Sequence, residues 1–116
     1  MEEPLDSETV KQILQLGGEK LLGDLIDIFR EHAPLRLREL RAGLAEGDME
    51  RVAKAAHSFR SSSISLGAKK VSDEAAVLER FADDGDEAQV REGLPEFESS
   101  LESLLGYLSS EYGSHS

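Results

Sequence analysis

His57 stands in the stretch Ala56-His57-Ser58-Phe59-Arg60-Ser61-Ser62-Ser63-Ile64-Ser65-Leu66-Gly67-Ala68, out of phase with the apolar residues around it. Val52, Ala56, Phe59, Ser63 and Leu66 recur at steps of four, three, four and three, the spacing of one buried helix stripe. On that wheel His57 lies about 100° from Ala56 and about 200° from Phe59, so it points to water. Lys54, Arg60, Ser61 and Ile64 fall three, four or seven positions away and share its face. A free imidazole, with a pKa of about 6.5, is roughly three-quarters neutral at pH 7 and keeps a ring-nitrogen lone pair. A lone imidazole on a rigid helix, with a guanidinium one turn along and small hydroxyls around it, suits reversible chemistry on that nitrogen.

Other chemistries find little support. No Gly-x-x-x-x-Gly-Lys-Ser/Thr and no Gly-x-Gly-x-x-Gly occurs, so the chain encodes no phosphate cradle for a nucleotide. The ten glycines fall at expected helix ends and turns. His32, His57 and His115 are far apart, and none sits in a His-x-x-x-His or Glu-x-x-His pair. With no Cys, thiolate metal sites and disulfides are excluded. His32 precedes Pro34 at an expected helix C-terminus, where an imidazolium complements the dipole. Serine nucleophiles look weak, because no acidic residue lies between Asp48-Glu50 and Asp73 to orient the ring as their base. Ser61 is the neighbour one turn from His57, while Ser62 and Ser63 are expected to turn inward. Smallness is the role expected of these serines, letting a helix approach on one side and a partner protein on the other. No cofactor is expected, since the chain offers neither Mg²⁺ ligands nor a cluster of acids beside His57.

The elements that position this residue are helical throughout. Asp6 or Ser7 caps a short first helix carrying Val10, Ile13 and Leu14, and Gly17-Gly18 stops it. A second helix runs from about Glu19, with Leu22, Leu25, Ile28 and Phe29 inward, until Pro34 starts a third that carries Leu37, Leu40 and Leu44. Asp48 caps the helix bearing His57, which ends near Gly67. A fifth helix follows Ala68, with Val71, Ala75, Leu78 and Phe81 or Ala82 inward, and Asp83-Asp84-Gly85-Asp86 is a turn. The last shows Val90, Leu94, Phe97, Leu101, Leu104 or Leu105, and Leu108, with a kink or break expected at Gly93-Leu94 before Pro95. Short connections favour antiparallel neighbours. The expected fold is all-α: an antiparallel up-and-down four-helix bundle over about residues 34–111, with two shorter N-terminal helices packed across one end. Residues 109–116 are expected to fray.

The 116 residues bound one domain, and 32% charged against 39% hydrophobic is ordinary for a folded protein. The net charge of −11 argues against a nucleic-acid partner. Its distribution is uneven: residues 41–70 sum to +3, residues 1–40 to −4 and residues 71–116 to −10. His57 therefore sits in the one locally basic segment, which attracts an acidic partner or a phosphate. No apolar run approaches the roughly 20 residues needed to span a bilayer, so no membrane role is expected. The start Met1-Glu2-Glu3-Pro4 lacks a signal peptide's basic and apolar regions. A cytoplasmic monomer is the expectation, with a free-standing protein and a domain of a larger kinase both left open.

The stretch from Ala56 to Ala68, with Leu78-Glu79 eleven residues on, resembles the signature of histidine-containing phosphotransfer (HPt) domains of two-component phosphorelays. The family pattern is roughly Ala-His-x-Leu-Lys-Gly-x-Ser-x-x-Leu-Gly-Ala, then Leu-Glu on the next helix. Ala56, His57, Ser63, Leu66, Gly67, Ala68, Leu78 and Glu79 match, and Phe59 replaces leucine. Arg60 stands where lysine is usual, keeping the charge in a planar fork. Ser61 stands where glycine is usual. The resemblance implies that His57 accepts a phosphoryl group at its outer ring nitrogen from a receiver-domain aspartate or a hybrid sensor kinase and passes it to a response regulator. Arg60 would support the phosphate, and Lys54, Ser61 and Ile64 would form the docking face. Mg²⁺ would come from the partner's receiver domain. The competing expectation, left open by Ser61, is a helical adaptor that binds a receiver or kinase without being phosphorylated.

Overall fold

The computed structural model describes residues 3–113. Four helices follow one another: α1 (Ser7–Ala45), α2 (Met49–Ser65), α3 (Lys69–Asp83) and α4 (Glu87–Tyr112). Asp6, Asp48 and Asp86 each accept a backbone N–H from the first turn that follows, at Thr9, Arg51 and Gln89, as short carboxylates do at helix starts. The three connections are built alike. Asp48 N–H donates to Gly43 O, Ala68 N–H to Ser63 O and Asp86 N–H to Phe81 O, each at 2.8 Å. Together with a glycine at positive φ just before the donor, these bonds close the last turn of one helix. The donor residue then opens the next helix, so every loop is minimal and neighbours must run antiparallel. α1 packs on α2, α2 on α3, α3 on α4, and α4 back on α1.

The two N-terminal helices expected from the sequence and the bundle helix expected to start at Pro34 are a single element, so the first bundle helix begins well before residue 34. α1 is broken only at Gly18, with φ 69° and ψ −166°. The piece before the break does lie over one end, where Leu5 is buried and Asp6 N–H donates to Gly67 O at 2.7 Å. The piece after it runs straight through Pro34. Leu22, Ile26, Phe29, Ala33, Leu40 and Leu44 form a buried stripe whose phase does not change at the proline. Ile28, expected inward, is 49% exposed, and Ile26 takes the core position. Pro34 lies on the exposed outer face, where a helical carbonyl that loses its amide partner can be hydrated. Pro95 is likewise exposed, and the break expected at Gly93-Leu94 is absent. α4 also continues to Tyr112, inside the stretch expected to fray, with Tyr107 and Tyr112 packed edge to face at 6.3 Å.

The inward positions of the His57 stretch are as the spacing requires: Val52, Ala56, Phe59, Ser63 and Leu66 are all buried. Phe59 meets Phe97 of α4 edge to face, with ring centroids 5.0 Å apart, tying α2 to the diagonal helix. Burying such a ring contributes about 1.5–3 kcal/mol, and truncating it to alanine costs about 3–5 kcal/mol. Glu39 and Arg51 pair between α1 and α2 at 2.9 Å, which holds the carboxyl below and the guanidinium above their ordinary values. Arg41 and Glu98 pair between α1 and α4, and the arginine is raised in the same way. α2 is thereby tied to α4 and α1, and with α3 packed along another side its remaining face turns outward.

Candidate functional site

His57 sits in the middle of α2 on that outward face, its side chain 51% exposed. The helix beneath it is held at the same turn from α3: the buried Ser72 hydroxyl donates to Arg60 O at 3.0 Å. Small residues at the contact, Ala56 on α2 with Ala75 and Ala82 on α3, bring the two helices close. Antiparallel packing then sets Glu79 of α3 beside the ring. Its Oε2 lies 2.9 Å from His57 Nδ1, and its side chain is only 17% exposed. Arg60, one turn along α2, places a terminal guanidinium nitrogen 3.2 Å from the same Nδ1 and its Nε 3.4 Å from Glu79 Oε1. His57 Nε2 has no hydrogen-bond partner among the described residues.

A carboxylate that accepts Nδ1–H leaves the lone pair on Nε2, the nitrogen that no protein group occupies. Such a ring is an oriented nucleophile with a guanidinium at hand for developing negative charge. Beside it, an open groove between α2 and α3 is lined by Met49, Ala53, Lys54, Glu79 and Ala82. Lys54 lies one turn before His57 and makes only a long contact, 3.9 Å, with Glu50. Ser61 is exposed, and Ile64 is 48% exposed. The five residues singled out from the sequence therefore share one accessible face of α2. The surrounding hydroxyls are turned back onto the helix: Ser62 donates to Ser58 O and Ser65 to Ser61 O, each at 2.9 Å. Ser62, expected inward, is exposed.

The family model for the Hpt domain matches residues 24–108. The chain belongs to the Hpt domain family. Its fold is that of the crystal structure of histidine-containing phosphotransfer protein B (HptB) from Pseudomonas aeruginosa, with a TM-score of 0.90 at 22% identity over 100% of both chains. Among curated proteins, no sequence matches. Membership places the chain among the phosphotransfer carriers of phosphorelays.

Two site features of this Hpt domain depart from the sequence reading. An acid does orient the imidazole, supplied by α3 rather than by the stretch around His57. The signal was present in the Leu78-Glu79 pair and in the turn at Gly67. Residues about equally far before and after a tight antiparallel turn face one another, and His57 and Glu79 stand ten and twelve positions from Gly67. His32 is not at a helix end. It is exposed in the interior of α1, beside a shallow groove shared with Ile28, Phe29, Ser58 and Ser62. His115 lies outside the described residues. Those residues hold no cluster of metal-ligating side chains and no helix long and apolar enough to cross a membrane.

Proposed function

We propose that this Hpt domain carries a phosphoryl group on Nε2 of His57, taking it from the aspartyl phosphate of a receiver domain or hybrid sensor kinase and passing it to a response regulator. The contact between Glu79 Oε2 and His57 Nδ1, at 2.9 Å, carries this reading. A ring held through Nδ1 needs to lose no proton before attack. The Nε2 lone pair forms the N–P bond as the P–O bond to the donor aspartate breaks, and the aspartate departs as a carboxylate. The Nδ1 proton stays in place, so the phosphorylated ring is cationic and faces the Glu79 carboxylate. Onward transfer reverses the step, with neutral imidazole as leaving group. Arg60 balances charge on the phosphoryl oxygens. The metal ion and the in-line geometry come from the receiver's acidic pocket. Lys54, Ser61 and Ile64 form the surface on which that pocket seats. The charge excess of the His57 segment, +3 within a chain of −11, favours an acidic face over a basic one.

A helical adaptor that binds receivers without accepting phosphate is the second reading, prompted by Ser61 in the usual glycine's place. It assigns no purpose to an imidazole anchored at Nδ1 and open at Nε2. Incubation with phosphoramidate, and separately with a phosphorylated receiver and Mg²⁺, decides between them. Acid-labile, alkali-stable label is expected in the wild type and absent in His57→Gln. Label that persists in H57Q moves the site elsewhere; receiver binding with no label at all favours the adaptor.

A further inference from the structure

The two contacts at His57 Nδ1 make incompatible demands on its proton. Glu79 Oε2, at 2.9 Å, is a carboxylate oxygen and can only accept, so a hydrogen bond there requires Nδ1–H. The Arg60 guanidinium nitrogen, at 3.2 Å, can only donate, so a hydrogen bond there requires a bare lone pair on Nδ1. A neutral imidazole has one N–H. When Nδ1 donates to Glu79, Nε2 keeps its lone pair and is the nucleophile. When Nδ1 accepts from Arg60, the proton resides on Nε2 and the exposed nitrogen cannot attack. The groups facing the ring from α2 and α3 are thus arranged for two discrete states rather than one.

From this the geometry points to Arg60 as a gate on the phosphoacceptor: it holds the resting ring partly in the unreactive tautomer and releases it when a phosphoryl group arrives. This rests on the assignment of His57 as phosphoacceptor. Arg60 suits the part because its planar fork spans both neighbours at once, with Nε 3.4 Å from Glu79 Oε1 while the terminal nitrogen reaches His57. The fork is 45% exposed, so it has room to turn outward. Phosphoryl oxygens of an incoming partner offer it charge-assisted bonds stronger than one to a neutral imidazole nitrogen. As Arg60 turns to them, Nδ1 is left to Glu79, whose Oε1 is buried and makes no hydrogen bond of its own among the described residues. The proton relocates from Nε2 to Nδ1 through solvent, with no net gain or loss. Arrival of the phosphate and activation of the nucleophile become one event.

Ring-nitrogen NMR tests this directly, through two-bond ¹H–¹⁵N correlations of His57 at a pH where titration shows the ring to be neutral. Arg60→Ala is expected to raise the ratio of the Nδ1–H to the Nε2–H form about tenfold, the worth of one hydrogen bond to a charged group. Glu79→Ala is expected to shift it the opposite way by a similar factor. A receiver loaded with Mg²⁺ and beryllofluoride, a mimic of its phosphorylated state, is expected to move the wild-type ring toward Nδ1–H. An unchanged ratio in R60A, or a wild-type ring already wholly in the Nδ1–H form, overturns the gate. Failure of the underlying assignment looks different: phosphoramidate label on H57Q, whatever the tautomer ratios show.

Discussion

Gly67 O accepts the backbone N–H of Asp6 at 2.7 Å, joining the N-terminal segment to the turn between the helix that bears His57 and the helix that bears Glu79. Gly67 has a φ of +79°, and a Cβ there would lie 2.8 Å from Thr9 Cβ and 3.0 Å from Asp6 N. Two costs coincide at this position, a left-handed backbone and a crowded approach. Gly67→Ala is therefore expected to lower stability by about 2–4 kcal/mol, above the ~1–2 kcal/mol of the backbone term alone. Urea unfolding followed by circular dichroism gives the value. A loss under about 1 kcal/mol would mean that the N-terminal segment is not seated on this turn.

The same segment sets part of the acid sensitivity. The Thr9 hydroxyl, with the Thr9 backbone N–H and Lys69, holds the Asp6 carboxyl below its ordinary value against a smaller opposing effect of burial. Arg51 does the same for Glu39. A carboxyl depressed in the folded state stabilises fully above its unfolded pKa, about 4, and loses that contribution as pH falls through the lower folded value. Thermal midpoints measured from pH 5 to pH 2.5 should drop more steeply for the wild type than for an Asp6→Asn, Glu39→Gln double variant. Parallel curves would remove both groups from the account.

Glu79→Gln keeps the shape of the side chain and an oxygen for Nδ1–H but discards the charge that faces the phosphorylated ring. Phosphoramidate labelling of His57 is expected to slow about tenfold, the difference between a charged and a neutral acceptor, with the fold unchanged. An unaltered rate, in a variant whose circular dichroism matches the wild type, would sink the positioning role of Glu79.

Ser61→Gly restores the residue usual in the resemblance and removes a side chain from the exposed face one turn past His57. Transfer from a phosphorylated receiver is expected to quicken by about fivefold relative to labelling by phosphoramidate, the equivalent of ~1 kcal/mol at the docking surface. Equal effects on both donors would place Ser61 outside the partner's footprint.

Much of the fold is legible in residue order because its instructions are local. Aspartates at 6, 48 and 86 announce helix starts and glycines at 47, 67 and 85 announce ends, each through bonds within a few residues. The apolar stripe of α2 likewise put His57 outside the core, as found. The prolines misled the reading, because a ring inside a helix is costly or tolerable according to which face it lands on. Pro34 and Pro95 both land in water. The unbroken phase from Leu22 to Leu44 was the better guide.

What the sequence determined by itself is the all-helical class, the turns at Gly47, Gly67 and Gly85 with the helix starts that follow them, and an imidazole presented on the polar side of one helix, since all three follow from periodicity and capping over a turn or two. Only the tertiary structure decided which group that imidazole would answer to. Glu79 is 22 positions from His57, and its 2.9 Å approach depends on the register imposed by the Gly67 turn and on the small residues that let α2 and α3 close together. A hydrogen bond across that distance is a property of the packing, because it exists only when two helices meet at one spacing and one phase.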